Sequence, residues 1–284
     1  MCDALLGDEG RAQVSDRVEP DREVRGAFLV RTGSTQQSWV DPDDPLRLEF
    51  EYVQRIAEIL RATVLRRHTA QRLRVVHLGG GGMTLPRWLA AVRPGTAQLV
   101  CEPDRDLLDE VRRKLPLARH SGIKVRETDG RNGLTAMPDD YADAIIVDAF
   151  DGLHVPGALA TTEFFGDVRR VLRGDGVAIM NLADESPFGW SRACLAGIAT
   201  HFRHLLVTAE TAVWKGRRYG NFVVAAGSAQ LPVDALETAA RQALFGYRAV
   251  SGAALRRWIG AAHPFTDEAP RDSYGPASGH TWYG

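Results

Sequence analysis

Cysteine is scarce and unpaired in this chain: Cys2, Cys101 and Cys194 are its three cysteines, and none forms a Cys-x-x-Cys pair. That pattern excludes a disulfide framework and suits reduced thiols in a cytoplasm. The eight histidines are scattered, and the one close spacing, His201-x-x-His204, has no partner acids, so no metal is expected. No apolar run approaches the roughly 18 residues of a membrane span, and Met1-Cys2-Asp3 lacks the basic start of a signal peptide. Formal net charge is only -1 at pH 7, which leaves no global pull toward nucleic acid or a membrane surface. A cytoplasmic protein acting on small molecules, with neither nucleic acid nor membrane as partner, is the expectation.

With 284 residues, 44% hydrophobic and 25% charged, the chain can build one large domain plus an appendage. The informative stretch runs from Leu73 to Asp151. Leu73 to Leu78 is apolar and β-branched enough for a buried parallel strand, and it enters Gly79-Gly80-Gly81-Gly82-Met83-Thr84 directly. Leu85, Trp88, Leu89 and Val92 then recur at helical spacing, with Pro86 where a first turn tolerates a missing N–H. Glycines such as Gly79 and Gly81 let backbone approach a ligand, although such turns also serve only to pack a helix on a sheet.

The continuation favours a ligand. A second strand, Ala97 to Cys101, ends at Glu102, roughly 20 residues past the glycines, where a carboxylate can accept both hydroxyls of a ribose. A helix from Asp104 to Leu115 starts acidic and ends basic. A third strand, Ile123 to Glu127, reaches Asp129-Gly130, and a fourth, Ala142 to Val147, reaches Asp148-Ala149-Phe150-Asp151. In an open parallel sheet all these ends share one edge, where ligands bind. A nicotinamide dinucleotide is disfavoured, because no Tyr is followed four residues later by Lys and the third fingerprint glycine is Thr84 or Leu85. The acids after strands three and four fit a sulfonium cofactor of the S-adenosylmethionine class better. Each acid also has a plainer reading, as a turn or loop cap.

Further along, Thr161 to Phe165 opens a helix that Gly174 is expected to close, and Gly176 to Asn181 is a fifth strand with Asn181 on the binding edge as a substrate contact. Leu205 to Val207 and Asn221 to Ala226 read as the last two strands, with amphipathic segments at Val233 to Leu244 and Gly252 to Ile259. His77 reads as a satisfied core residue, and Lys215 to Arg218 as a solvated hairpin tip. The expected organisation is a mobile leader over 1–25, a β-hairpin with a linking helix over 26–66, the main domain over 67–262, and a loosely ordered tail over 263–284.

Gln36 in the hairpin, Glu49-Phe50-Glu51-Tyr52, the glycine turn, Cys101-Glu102-Pro103-Asp104, Asp129-Gly130, and Asp148-x-x-Asp151 followed by Pro156 together resemble the spermidine synthase (polyamine aminopropyltransferase) family, and more narrowly its bacterial spermidine-synthase-like proteins. The resemblance runs from Gly26 to Ala226. It implies an α/β fold, a class I S-adenosylmethionine-methyltransferase-like (Rossmann-type) sheet with a small N-terminal β-hairpin domain, and a homodimer joined through that β region. It implies decarboxylated S-adenosylmethionine as alkyl donor, or S-adenosylmethionine itself, and an amine as acceptor. Gln36 would contact the donor, Glu102 its ribose, Asp129 and Gly130 its adenine, and Pro156 would border the adenine. Asp148 would position and deprotonate the amine, while Asp151 and Tyr52 line its pocket. Trp214 falls near the place of an aromatic over the amine, or is an exposed hairpin aromatic.

Repulsion between Asp148 and Asp151 is expected to raise one carboxyl pKa. Two positions depart from the family pattern: Gly82 stands where members carry an acid for the donor's amine, and Val53 where they carry a glutamine. These departures keep methyl or 3-amino-3-carboxypropyl transfer from S-adenosylmethionine open, as well as a catalytically silent nucleotide-binding or interaction protein.

Overall fold

The computed structural model describes residues 17–33, 35–243 and 246–276. Strands β1 (Val18–Pro20), β2 (Phe28–Thr32) and β3 (Thr35–Val40) form a small antiparallel sheet. Helix α1 (Glu51–Ala62) leads from it into an eight-stranded sheet. There β4 (Arg74–Leu78), α2 (Thr84–Val92), β5 (Ala97–Cys101), α3 (Arg105–Lys114), β6 (Ile123–Arg126), α4 (Gly130–Thr135), β7 (Ala142–Val147), α5 (Thr162–Val171) and β8 (Leu172–Asp184) alternate. After them come α6 (Gly189–His201), β9 (His204–Glu210), α7 (Thr211–Trp214), β10 (Gly220–Gly227), α8 (Val233–Gln242), β11 (Tyr247–Ser251) and α9 (Gly252–Ile259).

The strand order is β11-β9-β10-β8-β7-β4-β5-β6. Strands β4 to β8 are parallel, and β10 runs antiparallel to both β8 and β9, as β11 does to β9. This is a class I methyltransferase-like fold carrying a separate three-stranded sheet at its N-terminal side. Helices cover both faces, so β7 is buried at every position, and its residues alternate between two cores. Ile145 and Val147 face Phe164, Phe165 and Trp190 on one side, while Ala144 and Ile146 face Leu60, Trp88 and Leu89 on the other. The small sheet packs Val18, Val30 and Val40 against Met83, Leu107 and Val111. It is thereby fixed over the glycine turn and α3.

Several expectations change. Part of the presumed leader is a strand: Glu110 accepts hydrogen bonds from the Arg17 and Val18 amides at 3.1 Å each, and Lys114 donates to Val18 O at 2.7 Å. Residues 1–16 lie outside the described residues. Nor is the tail loose over 263–276. Ser273 is 2% exposed and exchanges bonds with Val155, Trp190 Nε1 donates to Arg271 O at 2.8 Å, and Asp267 accepts from Thr161 Oγ1 at 2.6 Å. The rest of the tail, 277–284, is not among the described residues. Gly174 does not close α5; Leu172 caps it and the chain enters β8 at once, because Leu172 pairs with Ala142. Between the two amphipathic helices lies a strand that the pattern does not predict, β11, which pairs with β9. Among the described residues no helix is long and apolar enough to cross a membrane.

At the sheet edge opposite the glycine turn, Asp143 is fully buried and accepts from Arg67 at 2.6 Å, Arg173 at 3.0 Å and the Arg74 amide at 2.7 Å. Removing the carboxylate takes from Arg173 its ion pair with Asp143 and leaves Arg67 only its pair with Asp175 at 3.0 Å, beside an Arg74 amide that loses its partner. Asp143→Ala is expected to lower the unfolding free energy in urea by about 3 kcal/mol. A loss below about 1 kcal/mol would class the cluster with surface ion pairs.

Candidate functional site

The carboxyl ends of β4, β5 and β7 meet under the small sheet around a cavity of about 450 Å³, a usual size for a small-molecule site. Its back wall is the glycine turn. Gly79 has φ +93°, and a Cβ there would lie 2.1 Å from the Asp148 carbonyl oxygen, so only glycine lets β4 turn against the end of β7. Glu102 Oε2 accepts from the Gly80 amide at 2.8 Å and the Gly81 amide at 3.2 Å, while Oε1 accepts from the Asp104 amide at 3.1 Å. Ser38 Oγ accepts from the Gly82 amide at 3.0 Å, which fastens β3 onto the turn.

Asp148 stands at the end of β7. Its Oδ1 accepts from Asn181 Nδ2 at 2.9 Å, and its carboxyl also hydrogen-bonds Tyr52. Burial pushes its pKa up to about 6, with the bonds from Asn181 and Tyr52 pulling the other way. The expectation that Asp151 would supply the shift by repulsion is therefore corrected, since desolvation is the cause. Asp151 is exposed at the cavity mouth, where its amide and carbonyl pair with His154.

Gly79, Gly81, Glu102, Asp129, Gly130, Pro156, Tyr52, Asp148 and Asp151 all border this cavity. Asp129 also caps α4, accepting from the Asn132 amide at 2.9 Å and from Asn132 Nδ2 at 2.6 Å; despite some burial, these bonds hold its carboxyl below the usual range. Gln36 is not a lining residue; Gln37 is, and its Nε2 donates to Gly152 O at 2.8 Å. The reason is a β-bulge: Val30 pairs with Ser38 but Arg31 with Gln36, so Gln37 is the extra residue and the facing of β3 shifts by one.

Asn181 is buried behind Asp148 instead of facing the cavity, and it accepts from Asn221 Nδ2 at 2.7 Å. Trp214 is neither over the cavity nor an exposed tip. It packs edge-on against Phe222 and Trp258, each 5.2 Å away, and donates to Arg248 O at 2.9 Å.

Other lining residues escaped sequence reading. Arg17 reaches the cavity from β1's start, paired with Asp104 at 2.6 Å. Arg131, beside the Asp129-Gly130 pair, donates to Ala158 O at 2.9 Å and pairs with Asp267. His77 borders the cavity although only 1% exposed, with Nε2 2.9 Å from Gln98 Oε1. Burial pushes its pKa down to about 4 against the opposing Gln98 bond, so the ring is neutral. It is thus the satisfied core residue its apolar neighbours in β4 predict, and it touches the cavity as well.

The position of Gly82 is closed. A Cβ there would lie 2.7 Å from Val40 Cγ2 and 3.0 Å from Val30 Cγ2, so no acid fits beneath the small sheet. Val53 borders the cavity with an apolar side chain.

No protein-family model matches the chain. It is 28% identical over 178 residues to the polyamine aminopropyltransferase of Chromobacterium violaceum, covering 60% of this chain and 66% of that protein. The polyamine aminopropyltransferase of Neisseria meningitidis serogroup A is 29% identical over 150 residues, 52% of this chain and 54% of the relative. The chain thus spans about half to two thirds of the length of these curated relatives. The crystal structure of a probable spermidine synthase from Corynebacterium glutamicum superposes with a TM-score of 0.82 at 28% identity, covering 88% of this chain and 92% of that one. In sequence and in fold the chain is spermidine-synthase-like.

Two stability experiments probe this site. Gly82→Asp is expected to cost about 2 to 3 kcal/mol in urea unfolding, because the side chain must displace Val30 and Val40; an unchanged midpoint would mean that the small sheet yields. For Asp148 the folded pKa, about 6, exceeds the ordinary 3.8. Stability is therefore highest below the unfolded value and falls as pH rises toward 6. Asp148→Asn should be more stable than the parent by about 1 to 3 kcal/mol at pH 7, and equal to it below about pH 4. Equal unfolding curves at both pH values would remove the buried-carboxyl account.

Proposed function

We propose that the protein transfers an aminopropyl group from decarboxylated S-adenosylmethionine to a small amine. The carrying observation is Asp148: a buried carboxyl at the end of β7, held by Asn181 and Tyr52, facing the cavity that the glycine turn and Glu102 close from behind. The names of the relatives at 28% and 29% identity support the same reading.

In this reading the donor's adenosine lies along Gly79 to Gly81. Glu102 retains lone pairs for the ribose hydroxyls beyond its amide bonds, and Asp129 Oδ2, Gly130 and Pro156 meet the adenine. Gln37 takes the small sheet's contact in place of Gln36. The donor supplies a carbon made electrophilic by the adjacent sulfonium. An amine attacks only when neutral, so Asp148 accepts its proton as the new N–C bond forms and the S–C bond breaks, releasing methylthioadenosine. Tyr52 and Asn181 keep the Asp148 oxygens aimed, and Asp151 at the mouth attracts the cationic acceptor.

Incubation of the protein with decarboxylated S-adenosylmethionine and putrescine should release methylthioadenosine, with kcat/KM rising tenfold per pH unit up to a limb near 6 as Asp148 ionises. Asp148→Asn should lose about 10² to 10⁴-fold in kcat. Release of S-adenosylhomocysteine from S-adenosylmethionine instead would reassign the site to methyl transfer, and full turnover by the Asn variant would remove Asp148 as base.

A further inference from the structure

The inner end of the cavity contains an unspent hydrogen-bond acceptor. Gln98 Nε2 is 2.9 Å from Pro86 O, and a carbonyl can only accept, so this nitrogen donates and the amide orientation is set. Gln98 Oε1 therefore faces His77 Nε2 at 2.9 Å, and the imidazole must carry its proton on Nε2. Nδ1 is left as a bare lone pair. It has no hydrogen-bond partner among the described residues, and the ring, 1% exposed, borders the cavity. Because the ring lines the cavity, that lone pair is open to a ligand's hydrogen-bond donor.

The surroundings define what that ligand group must be. His77 pairs with Ile146 across β4 and β7, and Asp148 lies two residues beyond Ile146, so all three side chains leave the sheet on one face. Val53 and Ile146 line the cavity together with His77, the glycine turn and Asp148. The Nδ1 lone pair and the Asp148 carboxyl on the same face accept hydrogen bonds, which opposes a carboxylate and suits an N–H donor. The arginines of the wall are already engaged, Arg17 by Asp104 and Arg131 by Asp267.

We propose that His77 is the donor-selecting contact of this cavity: its Nδ1 accepts a hydrogen bond from the amino group that ends the donor's propyl arm. The imidazole thus replaces the acid for which Gly82 has no room. This assignment rests on the aminopropyl-transfer reading, and it makes the decarboxylated donor the preferred one, because S-adenosylmethionine would bring a carboxylate, which cannot donate to Nδ1, close to the Asp148 carboxyl.

Methylthioadenosine lacks the propyl arm, so the pair of ligands isolates it. In calorimetric titrations, His77→Leu should bind decarboxylated S-adenosylmethionine about tenfold more weakly than the parent, with methylthioadenosine unchanged within about twofold. An equal loss for both ligands would mean a structural role, and no loss for either would mean no contact; each overturns the assignment while leaving aminopropyl transfer standing. If the parent binds neither ligand, the functional reading fails and this assignment with it. Should H77L not fold, nitrogen-15 spectra of the parent decide: the His77 Nδ1 resonance moves with decarboxylated S-adenosylmethionine and not with methylthioadenosine, and movement with both or neither overturns the proposal.

Discussion

The grip of Glu102 on the glycine turn is the interaction on which the rest of the site depends. One carboxylate at the end of β5 accepts the Gly80 and Gly81 amides, and its other oxygen accepts the amide that starts α3. Glycine amides free of side chains can converge on a single oxygen only because the turn is stripped of Cβ atoms. With the turn held there, Gly79 can lie against Asp148, and the ends of β4, β5 and β7 enclose one cavity instead of three separate strand ends.

The small sheet completes what the turn begins. Ser38 bonds the Gly82 amide and Val30 and Val40 fill the space above it, so the sheet acts as a lid seated on backbone. That seating carries a chemical consequence: it removes the room for an acid in the turn, while the α1–α2 face of β4 provides an imidazole instead. A neutral acceptor is weaker than a carboxylate toward an ammonium, but it avoids placing a second charge near a buried Asp148. The described C-terminal segment supports the opposite wall, since Asp267, Asp272 and Ser273 hold Thr161, Gly157 and Val155.

Most of the architecture was legible because its signals are local. A glycine run after an apolar strand, an acid at each strand end and helices with charged caps all act within a few residues, and β4 to β8 follow from them. Glu102, Asp129, Asp148 and Asp151 come to border one cavity for the same reason, since the carboxyl edge of a parallel sheet gathers whatever its strands end on. What went astray needed information from far along the chain. Gln36 gave way to Gln37 through a bulge that only strand pairing reveals, and Trp214 joined Phe222 and Trp258 across 44 residues of separation at its widest, from 214 to 258. The tail, rich in proline and glycine, looked loose because its partners Val155, Gly157 and Thr161 are more than a hundred residues earlier.

By itself, then, the sequence determined the order of elements, the sheet edge that borders the cavity, and the acids placed there, because hydrophobic periodicity and turn chemistry are properties of short segments. Tertiary structure alone decided the chemistry of those groups. Burial, and not the neighbouring Asp151, raises the Asp148 pKa; a chain of bonds from Pro86 through Gln98 sets the His77 tautomer; and two valines of a distant sheet crowd any side chain at Gly82. Desolvation, proton placement and close packing depend on which atoms surround a group in space, and no short stretch of sequence contains that information.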